Sequence, residues 1–292
     1  MNIQSLSIVV PNRGCINNCR FCVSRMHCED IPFNIDINNS DFETYQQDYI
    51  KRLAFARDNG CNTVMLTGSS EPQQNKQFLQ YFSEMNSKLE KPFRWIQMQT
   101  TGVLLDDGYL NFLRKSVGVN TISVSITSYD DAVNKDYVRM PDKCAVDLKE
   151  LCKKIKAFGF NLRLSVNMTD YFNKYDGNAV GFFKDAKTMF NPDQMTIRLL
   201  YKTNDDSEQS NWVSEHACNE KVSDEIVDNV RKNAIQLERL PYGRIKYSYM
   251  GMSLVVDDDC MSKTAVEDYK YLILQPNCRL YSRWDDTASL IF

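Results

Sequence analysis

Histidine is nearly absent from this chain of 292 residues, which carries only His27 and His216. Acid–base chemistry built on imidazole therefore has little to draw on, and neither residue sits in a context that marks a general base. A charge excess is missing too: 35 Lys and Arg face 38 Asp and Glu. No global positive field gathers phosphate backbones, so nucleic acid has no support as a partner. The chain also lacks any run of about 18 apolar residues, and it opens without a basic segment ahead of a sustained apolar one. These absences argue against a membrane span or a secretory leader and lead us to expect a cytoplasmic protein.

What is present is a chain with 43% hydrophobic residues, long enough for one large core or for a core with a smaller appended unit. Ten cysteines could suggest disulfides, but Cys15, Cys19 and Cys22 are bunched together in a large chain. That pattern suits metal binding in a reducing compartment better than a stapled secreted fold.

From about residue 5 to residue 201, β-branched runs alternate with helical patterns, which predicts repeated βα units around a parallel sheet. The runs are Ser5–Val10, Thr63–Thr67, Arg94–Gln99, Thr121–Thr127, Asn161–Met168 and Met195–Tyr201. Between them, apolar residues recur three and four apart, as in Phe42, Tyr45, Tyr49, Leu53 and Ala56 behind a capping box of Ser40 and Glu43. Similar stripes are Phe78, Phe82, Met85 and Leu89; Leu148, Leu151, Cys152 and Ile155; and Phe182, Phe183, Ala186 and Met189. The expected fold class is α/β, an open partial (β/α)6 barrel over residues 1–204. Residues 205–292 are expected to form a small α+β cap: a loop over Lys202–Gln209, a helix with Val227, Val230, Ala234 and Leu237 on one face, and strands at Ile245–Tyr249, Met252–Val256, Tyr271–Leu274 and Ser289–Phe292.

The three clustered cysteines follow the first strand directly, so they fall on a loop at the C-terminal edge of the sheet, where α/β barrels place their chemistry. Spacings of four and three let a short loop curl around one iron–sulfur cubane, giving three irons a thiolate and leaving the fourth open. A structural zinc site completed by His27 or Cys28 is the competing reading, and it would make the chain a metal-stabilised binding module. Strand parity adds an independent signal. One face carries Ser123, Ser125 and Thr127; Arg163, Ser165 and Asn167; Gln194, Thr196 and Arg198; and, in the third strand, Gln97 and Gln99. Ordinary barrels fill their lumen with aliphatics, so these polar faces predict a cavity for a polar ligand.

The motif Cys15-x3-Cys19-x-Phe21-Cys22 resembles the signature of the radical S-adenosylmethionine (SAM) superfamily. The resemblance implies one [4Fe–4S] cluster held by Cys15, Cys19 and Cys22, with SAM on the open iron and Phe21 near its adenine. Reductive cleavage of SAM to a 5'-deoxyadenosyl radical, which takes hydrogen from a substrate, follows from the same likeness, as does an external flavodoxin or ferredoxin as reductant. Downstream, Gly68-Ser69-Ser70-Glu71-Pro72 is similar to the family's Gly-Gly-Glu-Pro, with Ser69 replacing a glycine and Ser70 inserted. Thr100-Thr101-Gly102-Val103-Leu104-Leu105 and Val124-Ser125-Ile126-Thr127-Ser128 resemble its next two strand-end motifs, and Asn167 matches a ribose-binding asparagine. The likeness is nearest the MoaA-like branch and implies SAM contacts at Gly68, Ser69, Ser70, Glu71, Thr100, Thr101, Ser125, Arg163, Asn167 and Arg198.

Beyond the barrel only Cys218, Cys260 and Cys278 remain, unlike the second-cluster pattern of the molybdenum-cofactor cyclases or of SPASM-type peptide modifiers, so one cluster is expected. Arg198 and Lys202 could hold an anionic substrate group, or Arg198 could pair with a carboxylate of the barrel wall. The substrate is expected to be a small molecule or a peptide. A radical enzyme acting on a nucleotide or a nucleic acid is the alternative within the family.

Overall fold

The structure, a computed structural model, describes residues 2–26, 39–203, 206–240, 243–257, 268–284 and 286–291. Its chain order is β1 (Asn2–Val9), α1 (Val23–Met26), α2 (Asn39–Asp58), β2 (Thr63–Thr67), α3 (Lys76–Ser87), β3 (Trp95–Thr100), α4 (Asp107–Phe112), β4 (Thr121–Ile126), α5 (Asp131–Tyr137), α6 (Leu148–Ala157), β5 (Asn161–Met168), α7 (Ala179–Phe190) and β6 (Gln194–Leu199). There follow α8 (Glu208–His216), α9 (Glu220–Asn233), β7 (Ile235–Arg239), β8 (Ile245–Tyr249), β9 (Met252–Asp257), β10 (Asp268–Leu274) and β11 (Leu280–Tyr281).

Alternation within the strands decides which way the sheet faces. Ile122, Val124 and Ile126 of β4 and Leu162, Leu164 and Val166 of β5 are fully buried, all on the parity opposite the polar set. The helices cover them with the stripes legible in sequence: Phe78, Phe82 and Met85 from α3, Leu148, Leu151, Cys152 and Ile155 from α6, Phe182, Phe183 and Ala186 from α7. Each such side chain contributes about 1.5–3 kcal/mol on leaving water. Local chemistry starts these helices where the burial needs them, since Asn75, Asp147 and Asn178 accept hydrogen bonds from the backbone N–H of Phe78, Glu150 and Gly181.

All strands join one sheet, in the order β11-β10-β1-β2-β3-β4-β5-β6-β9-β8-β7. From β10 to β9 every neighbour is parallel, so the six βα units gain a parallel strand at either edge from the C-terminal third. β9 and β10 do not pair with each other, and the barrel stays open. The C-terminal strands thus extend the sheet: β9 and β10 each complete an unpaired edge of the parallel sheet, and β8, β7 and β11 add antiparallel strands outside them.

Several local expectations need correcting. Part of the stretch read as loop is α8, opened by the Ser207 side chain accepting from the Ser210 N–H. The helix expected through Leu237 stops at Asn233, and Ile235 and Leu237 instead lie exposed on β7. The run Ser289–Phe292 gives a short 3-10 turn over Thr287–Ser289 and a single bridge from Leu290 to Tyr281, not a strand. The side chains of Ser40, Phe42 and Glu43 lie outside the described residues, as do His27, Cys28 and Cys260. None of the described helices is long and apolar enough to cross a membrane.

Candidate active site

Beyond β1 the chain folds back over the C-terminal ends of the strands and is pinned there by amide side chains. Asn12 Nδ2 donates to Ser70 Oγ at 2.7 Å and Asn75 Nδ2 to the Pro11 carbonyl at 2.6 Å. Gln74 grips the loop twice, accepting from the Ile16 N–H at 2.9 Å and donating to the Gly14 carbonyl at 3.0 Å. On the other side, the N–H groups of Asn18 and Arg20 donate to the carbonyls of Val138 and Tyr137 at 3.1 and 3.0 Å. Cys15, Cys19 and Cys22 are held on this loop, half-buried and free of disulfides.

The three thiols lie close together: the charge of Cys22 raises the proton affinity of both Cys15 and Cys19, and that of Cys15 raises the affinity of Cys19. Burial is the larger effect: it pushes Cys15 up to about 11, offset in part by backbone N–H groups of Asn17 and Glu71. Cys19 and Cys22 are pushed up by burial as well, Cys22 against the pull of the Arg25 and Ser24 amides and the Arg25 charge. Such a group is unfavourable as three bare thiolates and becomes favourable once an iron centre supplies positive charge. Three neighbouring thiolates are the soft donors that an iron–sulfur cluster takes as ligands.

Behind the loop sits Glu71, buried and facing no cation among the described residues. Its carboxylate accepts from Thr100 Oγ1 at 2.6 Å, Thr101 Oγ1 and Gln73 Nε2 at 2.8 Å, the Thr101 N–H at 3.1 Å and Asn17 Nδ2 at 3.2 Å. Asn17 Nδ2 also donates to Thr101 Oγ1 at 2.8 Å. The web therefore ties the cysteine loop to the ends of β2 and β3. Glycines permit this close assembly. Gly68 brings its backbone against Val10, whose carbonyl would lie 3.3 Å from an added Cβ. Gly102 has φ +98°, and a Cβ there would lie 2.4 Å from Leu151 Cδ2.

In front of the loop lies a cavity of about 560 Å3, walled by residues of all eight parallel strands. Cys19, Phe21, Cys22, Gly68, Ser125, Arg163, Asn167 and Arg198 line it, whereas Cys15, Ser69, Ser70, Glu71, Thr100 and Thr101 do not. Asn167 Nδ2 donates to Ser125 Oγ at 3.0 Å and to the Ile126 carbonyl at 3.2 Å. Arg163 donates to Gln97 Oε1 at 2.7 Å and, through Nε, to Gln194 Oε1 at 2.8 Å. Arg198 stands in register with Asn167 on one side and Asp257 on the other. Asp257 is the wall carboxylate that could have claimed it, but it accepts from Lys270 at 2.8 Å and lies 3.8 Å from Arg244. Lys202 is exposed and does not line the cavity.

Sequence reasoning missed the amide pins Asn12, Asn17, Gln73, Gln74 and Asn75, and the C-terminal wall residues Asp257, Lys270 and Trp284. The run Gln73-Gln74-Asn75 behind a proline was the available signal for the first set. For the second there was none before β9 and β10 were known to flank the barrel. His216, unassigned in sequence, donates through Nδ1 to Asp170 Oδ2 at 2.8 Å, and Tyr137 donates to the other oxygen of Asp170 at 2.7 Å. Cys278 is buried and Cys218 half-buried.

The native structure of anSMEcpe with bound AdoMet (SAM) superposes over 96% of this chain and 74% of its own, with a TM-score of 0.59 at 14% identity. Coproporphyrinogen III oxidase (HemN) from Escherichia coli matches over 88% of this chain and 63% of its own, with a TM-score of 0.56 at 12% identity. HydG, a maturase of the [FeFe]-hydrogenase, matches over 79% and 50%, with a TM-score of 0.51 at 14% identity. At such identities the likeness is one of fold. No curated protein matches in sequence. The model of the Radical SAM superfamily matches residues 9–178, more than half of the chain and the whole span from the cysteine loop through β5. With its cysteine loop at the mouth of a polar lumen, the chain belongs to the radical SAM superfamily and is an enzyme.

Proposed function

We propose that this enzyme carries one [4Fe–4S] cluster on Cys15, Cys19 and Cys22, binds SAM in the upper lumen, and removes hydrogen from a small substrate held deeper in the same cavity. The observation that carries the reading is the position of three mutually close thiols at the rim of a single polar cavity, two of them on its wall. Bound together, the cluster and SAM supply reductive cleavage of a carbon–sulfur bond and a carbon radical reactive enough to take hydrogen from an unactivated position. The polypeptide contributes placement. Gly68, lacking a Cβ, leaves backbone open to the cofactor at the end of β2. Ser125 and Asn167, already hydrogen-bonded to each other, offer a hydroxyl and an amide to its ribose or carboxylate. The Glu71 web holds the loop rather than the ligand, and it keeps the cysteines fixed while the cavity fills and empties. Phe21 lines the wall beside Cys22 and gives an apolar face for the adenine.

Finer features rest on the sequence. The order of the strand-end motifs favours the MoaA-like branch. The wide spacing of Cys218, Cys260 and Cys278 supports a single cluster. A flavodoxin or ferredoxin is the fitting reductant, and a reducing cytoplasm the fitting compartment for exposed thiolate chemistry.

Anaerobic reconstitution with iron and sulfide tests this directly. The protein should turn brown, hold about four irons per chain, and after reduction convert SAM to 5'-deoxyadenosine; replacing all three cysteines by alanine should leave it colourless. A wild-type protein that stays colourless would overturn the proposal. Loss of metal on Cys28→Ala alone would point instead to a closed site.

A further inference from the structure

The charges on the lumen wall do not balance. Arg163, Arg198, Lys246 and Lys270 line it, and Asp257 is the one carboxylate that does so among the described residues. That carboxylate is already engaged by Lys270 and Arg244. Lys246 pairs with Glu238 at the edge of the sheet, and Arg163 is bracketed by the oxygens of Gln97 and Gln194. Arg198 differs from all of these. It makes no hydrogen bond or ion pair among the described residues, and its Nε is buried without an acceptor. A second donor is in the same condition: Gln97, 4% exposed, gives its oxygen to Arg163 and leaves Nε2 buried and unmet. A buried Nε–H on a half-buried guanidinium and a buried amide N–H, both left without acceptors, are costly, and a ligand rich in oxygen would relieve both.

SAM does not remove that excess. Its amino-acid end is a zwitterion and its sulfonium adds one positive charge, which the single negative charge of an oxidised [4Fe–4S] cluster on three thiolates only cancels. The charge that offsets the cations of the wall has to arrive with the second occupant. The cavity, about 560 Å3, falls within the range of roughly 300–1,000 Å3 typical of small-molecule sites. Shared with SAM, it leaves space for a small molecule only.

We propose that the substrate is a small organic anion, a carboxylate or a phosphate ester, whose charged group is bound by Arg198 at the end of β6, on the opposite side of Asn167 from Ser125. The planar guanidinium fork matches either group. This deepens the proposed function and rests on SAM occupying the lumen.

Calorimetric titration of the reconstituted, SAM-bound protein with inorganic phosphate and, separately, with succinate tests the assignment. One of the two should bind saturably, and which one does separates phosphate from carboxylate. Arg198→Gln should weaken that binding about tenfold or more, and Arg198→Lys should retain part of it. SAM affinity should shift less than about threefold in both variants, and the unliganded melting temperature and brown colour report that the variants still fold. Three results would overturn the inference: saturable binding of neither anion, binding unchanged by Arg198→Gln, or a loss confined to SAM, which would give Arg198 to the cofactor. A wild-type protein that forms no cluster sinks the proposed function itself. A cluster that cleaves SAM without anion binding sinks only the substrate class.

Discussion

At the scale of single residues, the cysteine loop is tied to the strand ends by a carboxylate that does not line the cavity. Glu71 receives five donors from Asn17, Gln73, Thr100 and Thr101, and an amide in its place would set an N–H against some of them. We expect Glu71→Gln to lower stability by at least about 2 kcal/mol and to loosen the cysteine loop. Denaturant unfolding should show the first effect, and faster iron loss to a chelator the second; unchanged values in both would remove Glu71 from any positioning role. Titration offers another residue-scale test. Burial pushes Cys61 and Cys152, neither of which belongs to the cysteine loop, up to about 12 from the ordinary 9.0. Between pH 9 and 12 the unfolded chain releases these protons while the folded chain keeps them, so the folded state loses stability as pH rises and is unaffected by them below pH 9. Each group contributes a slope of up to about 1.4 kcal/mol per pH unit in that window. Replacing both by alanine should flatten the alkaline limb of the unfolding free energy, measured over the same range.

At the scale of elements, what could be read in sequence was whatever repeats locally. The six strands of the βα units and the stripes of α3, α6 and α7 follow from period alone, because burial on one face repeats every two or every 3.6 residues. The boundary between α9 and β7 was illegible for the same reason. The apolar period runs on through Ala234 and Leu237 with no glycine or proline to stop it, and only the free edge of β8 draws Ile235–Arg239 into a strand. In the site, the cysteines announce themselves by spacing. Asn17 does not, since a buried asparagine that binds Glu71 and Thr101 looks in sequence like any loop asparagine. Gly102 lies between these cases: its motif was legible, its reason was not. The reason is a positive φ together with a Cβ position already filled by Leu151. Gly102→Ala should therefore cost about 1–3 kcal/mol of backbone strain plus a steric share. Pairing it with Leu151→Ala should recover the steric share alone, so a double-mutant cycle in denaturant must show positive coupling yet incomplete rescue.

At the scale of the whole molecule, the barrel is open where β9 and β10 fail to pair, and the chain crosses that seam with side chains. Lys270 of β10 donates to both oxygens of Asp257 on β9, at 2.9 and 2.8 Å, and the two side chains are only 16% and 7% exposed. Both line the lumen, so the pair forms part of its wall. A buried pair is not in itself strongly stabilising, because desolvation offsets much of the attraction, but removing one partner strands the other. Asp257→Asn leaves Lys270 charged in a nearly closed space and should cost about 3–5 kcal/mol. Lys270→Met should cost less, since Arg244 remains 3.8 Å from the carboxylate. The double variant Asp257→Asn/Lys270→Met, which leaves only the more exposed Arg244 without the carboxylate, should regain part of the loss. This ordering separates a seam held by charge from one held by packing, where the two losses would simply add, and urea unfolding of the three variants decides between them.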